Sequence, residues 1–383
     1  MFDAGGEIKM AYSVFTINPG STSTKIALFH GKEKVFSKNV SHEAEELAQF
    51  PDLSAQLSYR MNTIMKILVE EKISLQGMDA FVGRGGGLYS MEGGVYEIDE
   101  LMVRHAEHSP VGVVHPANLG IQIANKFQQE YGGHAYTVNP PSVDEYEAVA
   151  RVTGMKGVER NSRLHSLNLK EVGIRHAELM GKPYEQCNFI ICHIGGGISI
   201  SAHCQGRMVD GNDIIGGEGP MAPTRCGSLP AEDLIRLCYS GKYTERDMLD
   251  KCTKNGGFVD LLGTADTIEV LRRAQNGDQQ AMLVWDAMVY QINKYIGSMA
   301  AVLKGQVDGI LLSGGMANSK ELTEEIVKTC SFIAPVTVYA GEFEMEAMAS
   351  GAIRVMSGEE DVKTYTGKPT WPGLMFHNMK GID

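Results

Sequence analysis

The sequence predicts an α/β protein of two domains in which one strand–turn–strand unit is used twice, and three observations carry that prediction. Short β-like segments alternate with longer helical patterns along the chain, the arrangement in which helices cover the faces of a sheet. At 383 residues the chain exceeds what one core usually serves and suits two domains. Laying "VFTINPGSTSTKIALFHGK" over "FIICHIGGGISISAHCQGR" aligns Gly20 with Gly195, Ala27 with Ala202, Gly31 with Gly206 and Lys32 with Arg207. Each copy reads strand, small-residue turn, strand, glycine turn, so the expectation is a duplicated domain with a cleft between the halves.

The elements follow in chain order. "YSVFTI" and "TKIALF" alternate apolar and polar residues on either side of the turn at Gly20 and read as strands. A helical pattern covers 54–72, and "DAFVGR" is a short apolar run ended by glycines. The helical pattern over 116–131 begins at Pro116, whose missing N–H costs nothing at a first helical position. His115 would then sit at a strand-to-helix junction, where α/β folds hold ligands. "AYTVN" is the next strand, and helical patterns follow over 142–154 and 166–180. "NFIICHI" and "ISISAHC" repeat the first pair of strands, and helices are expected over 230–240, 266–275 and 279–304. Strand "DGILLSG", helix 319–329, strand "APVTVYA" and helix 344–356 complete the series. Within 279–304, Met282, Trp285, Met288, Ile292, Ile296 and Met299 recur at helical spacing, the mark of a stripe that faces a core. The first domain is expected over 1–150, with the C-terminal segment of about 344–383 packed on it, and the second over 151–343. Residues 1–9 read as a leader before the first strand or as the product of an early start codon.

Composition narrows the function. Hydrophobic residues at 43% and charged residues at 21% are those of a globular protein. The 35 basic and 47 acidic side chains leave a net charge of −12, which opposes broad binding of nucleic acid or an anionic membrane. An anionic substrate would need positive charge gathered locally. Seven cysteines without C-x-x-C or zinc-ligand spacing fit a reducing cytoplasm. The N-terminus has no apolar segment of the signal-peptide kind, and no run approaches the ~18 apolar residues of a membrane span.

Three turns attract attention as anion sites. Gly20 to Thr24 offers a glycine and four hydroxyls with Lys25 just beyond, and Gly195, Gly196 and Gly197 occupy the matching turn of the second copy. Gly314 and Gly315 stand between a strand and a helix whose cap is Asn318 or Ser319. Small residues let backbone N–H groups close on a phosphate, although any one turn also reads as a plain hairpin. No Walker motif occurs. Arg84 in "FVGRGGG" and Arg225 in "PMAPTRCGSLP" sit among glycines and prolines, where a planar fork is free to take a carboxylate or phosphate. His115, His165 and His193 stand at motif positions without metal-ligand spacing.

Seven segments, "INPGSTSTKIA", "VGRGGG", "HPANLGIQIA", "HIGGGISI", "IIGGEGPMAPTRCGSLP", "LLSGGMA" and "GEFEMEAMASGA", together resemble the butyrate kinase branch of the acetate kinase (acetokinase) family over nearly the whole chain. That family belongs to the superfold of actin, the sugar kinases and the heat-shock ATPases. The resemblance therefore implies a duplicated actin-like (ribonuclease H-like) two-domain fold with an interdomain cleft. It implies ATP-dependent phosphorylation of a short-chain carboxylate, butanoate and ATP giving butanoyl phosphate and ADP, with ATP/ADP and Mg²⁺ as cofactors. It also implies a cytoplasmic homodimer or higher homo-oligomer. Acetate, propionate or a branched acid is the alternative substrate. A non-kinase ATP-gated binding or regulatory protein is the alternative of another class, against which stand two arginines for a second anion, Arg84 and Arg225.

Residue by residue, the resemblance implies that Arg84 holds the acid's carboxylate with His115 and Pro116 beside it, and that Arg225 and His165 attend the transferring phosphoryl group. Asn18, Ser21, Ser23 and Lys25 would lie toward the γ-phosphate, His193, Gly195, Gly196 and Gly197 toward the β-phosphate, and Gly314, Gly315 and Met316 toward the adenosine. Glu344, with Asn18, matches the metal site, while Glu342 and Glu346 stand close enough to compete. Acetate kinases have an aspartate after the fourth strand. This chain has Asn139 there and Asp144 five residues later, and either is open as the replacement.

Overall fold

Among the described residues, 11–373 of a computed structural model, the apolar alternations condense into a six-stranded and a five-stranded sheet. The leader expected at 1–9 and the end of the C-terminal segment lie outside these residues. The chain separates into two compact units, one running through Val143 and resuming over Glu344–Trp371, the other spanning Asp144–Phe343.

The first unit holds β1 (Ser13–Pro19), β2 (Ser23–His30), β3 (Glu33–Ser41), β4 (Ala80–Gly83), β5 (Val95–Glu97) and β6 (His134–Val138), in the order β3-β2-β1-β4-β6-β5. β1 and β2 form an antiparallel pair, and β1, β4 and β6 run parallel. Phe15, Phe81 and Phe127 meet at centroid separations of 6.4, 6.1 and 5.8 Å in this core, each pair adding ~0.5–1.5 kcal/mol beyond its buried area.

The second unit holds β7 (Asn188–Ile194), β8 (Ile198–Cys204), β9 (Arg207–Gly211), β10 (Gly309–Gly314) and β11 (Val336–Ala340), in the order β11-β10-β7-β8-β9. Read from the hairpin edge, both sheets run third, second, first strand and then two strands parallel to the first, with β5 added antiparallel at the far edge of the first sheet. The strand pairs of the two copies fall on aligned residues, as duplication requires. The helix Gln279–Val302 lays Trp285, Met288, Ile292, Ile296 and Met299 into this core, but Met282 departs from the stripe and is exposed.

Some local expectations give way. The pattern at 142–154 is mostly loop with one turn of helix, Ala148–Arg151, because Arg151 bonds both Asp144 oxygens and Tyr146 O and so holds the chain in a non-helical path. Pro116 is not the first helical residue. The helix is Asn118–Tyr131, and His115 and Pro116 form a tight turn before it, accepting the N–H groups of Asn118 and Leu119. The element ahead of His115 is the helix Glu100–Glu107 and a loop, so there is no strand-to-helix junction. That helix was missed despite its Asp99 cap, as was Glu245–Thr253 despite the Thr244 and Asp247 capping box. Strand β3 was missed because its residues are mostly exposed and show no apolar alternation, and pairing with β2 is what makes it a strand. Among the described residues no helix is long and apolar enough to cross a membrane.

Candidate active site

In the first unit the turn between β1 and β2 is fixed from behind. Gly20 donates its N–H to Ser23 O at 2.7 Å. The wholly buried Arg60 gives Nη1 to Gly20 O, Ser23 O and Thr24 Oγ1, and Nη2 to Ser21 O, at 2.9 to 3.3 Å. Burial depresses the Arg60 pKa, and these four oxygens, with Gln56 Oε1, compensate its charge. With its carbonyls tied inward, the turn exposes Ser21, leaves Ser23 half-buried and places Lys25 on the exposed side, directly across from Asn18. Thr24 is a correction to the run of four donors: its hydroxyl is buried against His42 Nε2 and Arg60. Sequence reasoning missed Arg60 altogether.

Arg84 follows β4, where the helix Asn118–Tyr131 comes unusually close. A Cβ on Gly83 would lie 2.1 Å from Gly120 O, and one on Gly120 would lie 2.2 Å from Arg84 O. The glycines of "VGRGGG" and "NLGIQIA" thus form one crossing, which fixes the Arg84 backbone. Its side chain is buried, with Nη1 donating to Asn139 O at 3.4 Å and Nη2 3.6 Å from Glu344 Oε1. Burial lowers the guanidinium pKa and Glu344 opposes it. Glu344 Oε2 accepts from Asn18 Nδ2 at 2.7 Å, so Asn18, Arg84 and Glu344 form one cluster.

His115 is exposed, and its Nδ1 accepts the Ala117 N–H at 3.1 Å, with Pro116 half-buried in the same turn. Partial burial of the ring and then the charge of Arg84 lower its pKa. Asn139 has a left-handed φ of 39° and pairs with Gly94 through both its N–H and its Oδ1, so its side chain pins the backbone near β5. Asp144 is committed to Arg151 through both oxygens. The three glutamates also part company: Glu346 pairs with Lys34 at 2.8 Å, Glu342 lies 3.8 Å from His193 Nε2, and Glu344 alone joins Asn18 and Arg84.

In the second unit His193 is the next-to-last residue of β7, and His165 precedes the helix Ser166–Leu179. The two rings stack at 3.9 Å and 17°. Ser199 Oγ accepts the backbone N–H of His165 and lies 2.8 Å from Nδ1 of the same residue. The glycine turn is closed one residue shorter than the first: Gly195 donates its N–H to Gly197 O at 3.2 Å, and so turns that donor inward. Gly196 is the exposed tip, its carbonyl held by Thr224 Oγ1 at 2.9 Å.

Gly197 carries no side chain where Arg225 lies on it, a Cβ there falling 1.2 Å from Arg225 Nη1. Arg225 Nε and Nη1 are buried and have no hydrogen-bond partner among the described residues, and burial lowers the pKa. Each unpaired buried donor costs ~1–3 kcal/mol, more on a charged group, and an oxyanion placed there would remove that cost. The third turn is less open than expected. Gly314 exchanges both backbone hydrogen bonds with Gly341, and the Met316 side chain packs in the core, which leaves Gly315 exposed. Ser319 is the cap of the helix Lys320–Cys330.

Among the described residues no three His, Cys, Asp or Glu side chains gather to hold a metal. A cation held by Glu344 and the Asn18 amide would have to take most of its ligands from phosphate and water, which is the habit of Mg²⁺.

Comparison with known proteins identifies the family and the fold. Residues 13–357 match the acetokinase family. Butyrate kinase 2 of Clostridium acetobutylicum is 45% identical over 356 residues, covering 93% of this chain and 100% of that protein. A probable butyrate kinase of Clostridium botulinum (strain Eklund 17B / Type B) is 42% identical over 358 residues, with 93% and 100% covered. Among solved structures, Porphyromonas gingivalis acetate kinase superposes with a TM-score of 0.71 at 20% identity over 90% of this chain and 100% of that one. A Francisella tularensis propionate kinase gives 0.68 at 16% identity over 89% and 98%. At those identities the two structures speak for the fold.

Proposed function

The chain belongs to the acetokinase family, and from that premise we propose that it transfers the γ-phosphoryl group of ATP to a short-chain carboxylate, butanoate first among them. The acid's pKa lies near ~4, so at pH 7 it is already an ionised nucleophile and no general base is needed. A carboxylate oxygen attacks phosphorus in line, the new O–P bond forms as the bond to the ADP oxygen breaks, and no proton has to move. The protein's task is to align two anions and offset their charge.

Arg84 is assigned the acid's carboxylate, with His115 and Pro116 beside it. Arg225 and His165 are assigned the transferring group, His193 and the Gly195–Gly197 turn the β-phosphate, and Gly314, Gly315 and the Met316 backbone the adenosine. Asn18, Ser21, Ser23 and Lys25 are assigned the γ-phosphate side. Glu344 and Asn18 would hold Mg²⁺, which would add positive charge on the phosphates. A cytoplasmic homodimer belongs to the same proposal.

The observation that carries this reading is Arg225, its guanidinium laid on Gly197 with two buried nitrogens unmatched among the described residues. Hydroxylamine trapping of the acyl phosphate, over C2 to C5 acids with ATP and Mg²⁺, tests it. Butanoate is expected to give the highest kcat/KM, since each buried CH₂ is worth about 0.8 kcal/mol, or roughly fourfold. ATP turnover without any hydroxamate would replace the kinase with an ATP-gated binding protein, and a tenfold preference for acetate would change the substrate.

A further inference from the structure

We propose that Asn168 is a positioning residue that keeps His193 neutral with its proton on Nε2, giving the phosphate turn a fixed N–H donor. The proposal rests on the reading that His193 faces phosphate. Asn168 is wholly buried in the helix Ser166–Leu179. Its Oδ1 accepts the backbone N–H of Phe343 at 3.0 Å, and because a backbone N–H only donates, this bond settles which end of the amide is oxygen. The other end, Nδ2, therefore points to His193 Nδ1 at 3.0 Å and to Ser313 Oγ at 2.8 Å. Ser313 Oγ in turn donates to Cys192 O at 3.0 Å, so it must accept from Asn168. Both amide protons are thus used.

An amide N–H can meet only a bare Nδ1, so the ring proton lies on Nε2. Among the described residues the stacked His165 and the Glu342 carboxylate, 3.8 Å from Nε2, also face the ring. The Glu342 charge favours the same proton position. A proton moved to Nδ1 would leave a lone pair aimed where phosphate oxygens are expected. The same amide also joins β7, β10 and the residue before Glu344 through one set of bonds, so it holds His193 and the strand leading into the Gly314 turn in register.

Asn168→Asp tests this with little change of shape. A carboxylate still accepts from Phe343 N and Ser313 Oγ, but it requires a proton on His193 Nδ1. Long-range ¹H–¹⁵N correlation spectra of the ¹⁵N-histidine-labelled full chain report the tautomer, with the His193 signals identified by their loss in His193→Gln. The wild type is expected to show a protonated Nε2 and a bare Nδ1, and Asn168→Asp a protonated Nδ1. kcat should fall at least ~10²-fold, the cost of one lost donor to a developing charge, while KM for the acid stays within about threefold. A wild-type ring protonated on Nδ1 overturns the proposal even if the variant fails to fold. So does a variant whose Nδ1 stays bare. A tautomer change with unaltered kcat upholds Asn168 as the lock and instead refutes the phosphate role of His193.

Discussion

Gly197→Ala isolates Arg225 without touching its charge. The added Cβ would lie 1.2 Å from Nη1, 2.4 Å from Cζ and 3.2 Å from Nη2, against 3.4 Å for ordinary contact, so the guanidinium must retreat by about 2 Å. Gly197 does not have a left-handed φ, and the obstructing atoms are the far end of a flexible side chain. Alanine should therefore fold, with Tm within ~2 °C of wild type. Misplacing a catalytic group by ~1 Å can cost ~10²-fold, and losing one donor to the transferring group ~10²–10³-fold, so kcat should fall by ~10²–10³. Initial hydroxamate rates with butanoate, ATP and Mg²⁺ measure this. The mechanism also fixes the double variant: if alanine acts by displacing Arg225, adding it to Arg225→Ala should cause little further loss, because the group it displaces is gone. Losses that multiply, or wild-type kcat in Gly197→Ala, would refute the reasoning.

Three other outcomes follow from the same contacts. Arg60→Met strips the carbonyls of Gly20, Ser21 and Ser23 of their shared donor; a cost of ~3 kcal/mol should appear as a Tm lower by ~6–12 °C, and a shift below ~2 °C would deny Arg60 its part in the turn. His42 is held neutral by burial and then by the charge of Arg60, its pKa pushed down to about 4 from the ordinary 6.5; the unfolded chain takes the proton first as pH falls, so this contribution is whole above pH 6.5 and lost between 6.5 and 4, a span worth ~3 kcal/mol. Urea midpoints should therefore fall less across that window in His42→Gln than in wild type, and parallel curves would refute the assignment. Asp144→Asn leaves Arg151 buried with its ionic partner removed and should cost ~3 kcal/mol while KM for Mg²⁺-ATP stays within about twofold, whereas a tenfold rise would return Asp144 to the metal.

The hairpins at Gly20 and Gly195 were legible because a period-two alternation broken by glycine has few other solutions, and the duplication was legible because it occurs twice. What sequence concealed depends on pairs distant along the chain. Nothing near Gly83 announces Gly120, yet the crossing of the two positions is what fixes Arg84. Asn139 stood where a charge was expected, and only the bonds to Gly94 explain an amide there. Arg60 did leave a trace. It shares the buried stripe of its helix with Ile64 and Leu68, and a charged residue in such a stripe needs partners inside the fold.

The two copies also show how one scaffold comes to serve two purposes. Both turns spend the N–H of their first glycine internally, Gly20 on Ser23 O and Gly195 on Gly197 O, so the shared feature is a tight frame rather than a shared set of donors. In the first copy the cation lies behind the frame, where Arg60 is spent on carbonyls. In the second the cation lies on it, because Gly197 leaves room for Arg225, and two of its nitrogens find no acceptor among the described residues. A buried guanidinium whose donors are spent stabilises a fold, whereas one held in place with donors unspent is suited to charge that arrives with the substrate. On that difference Arg60 belongs to stability, and catalysis is the role proposed for Arg225.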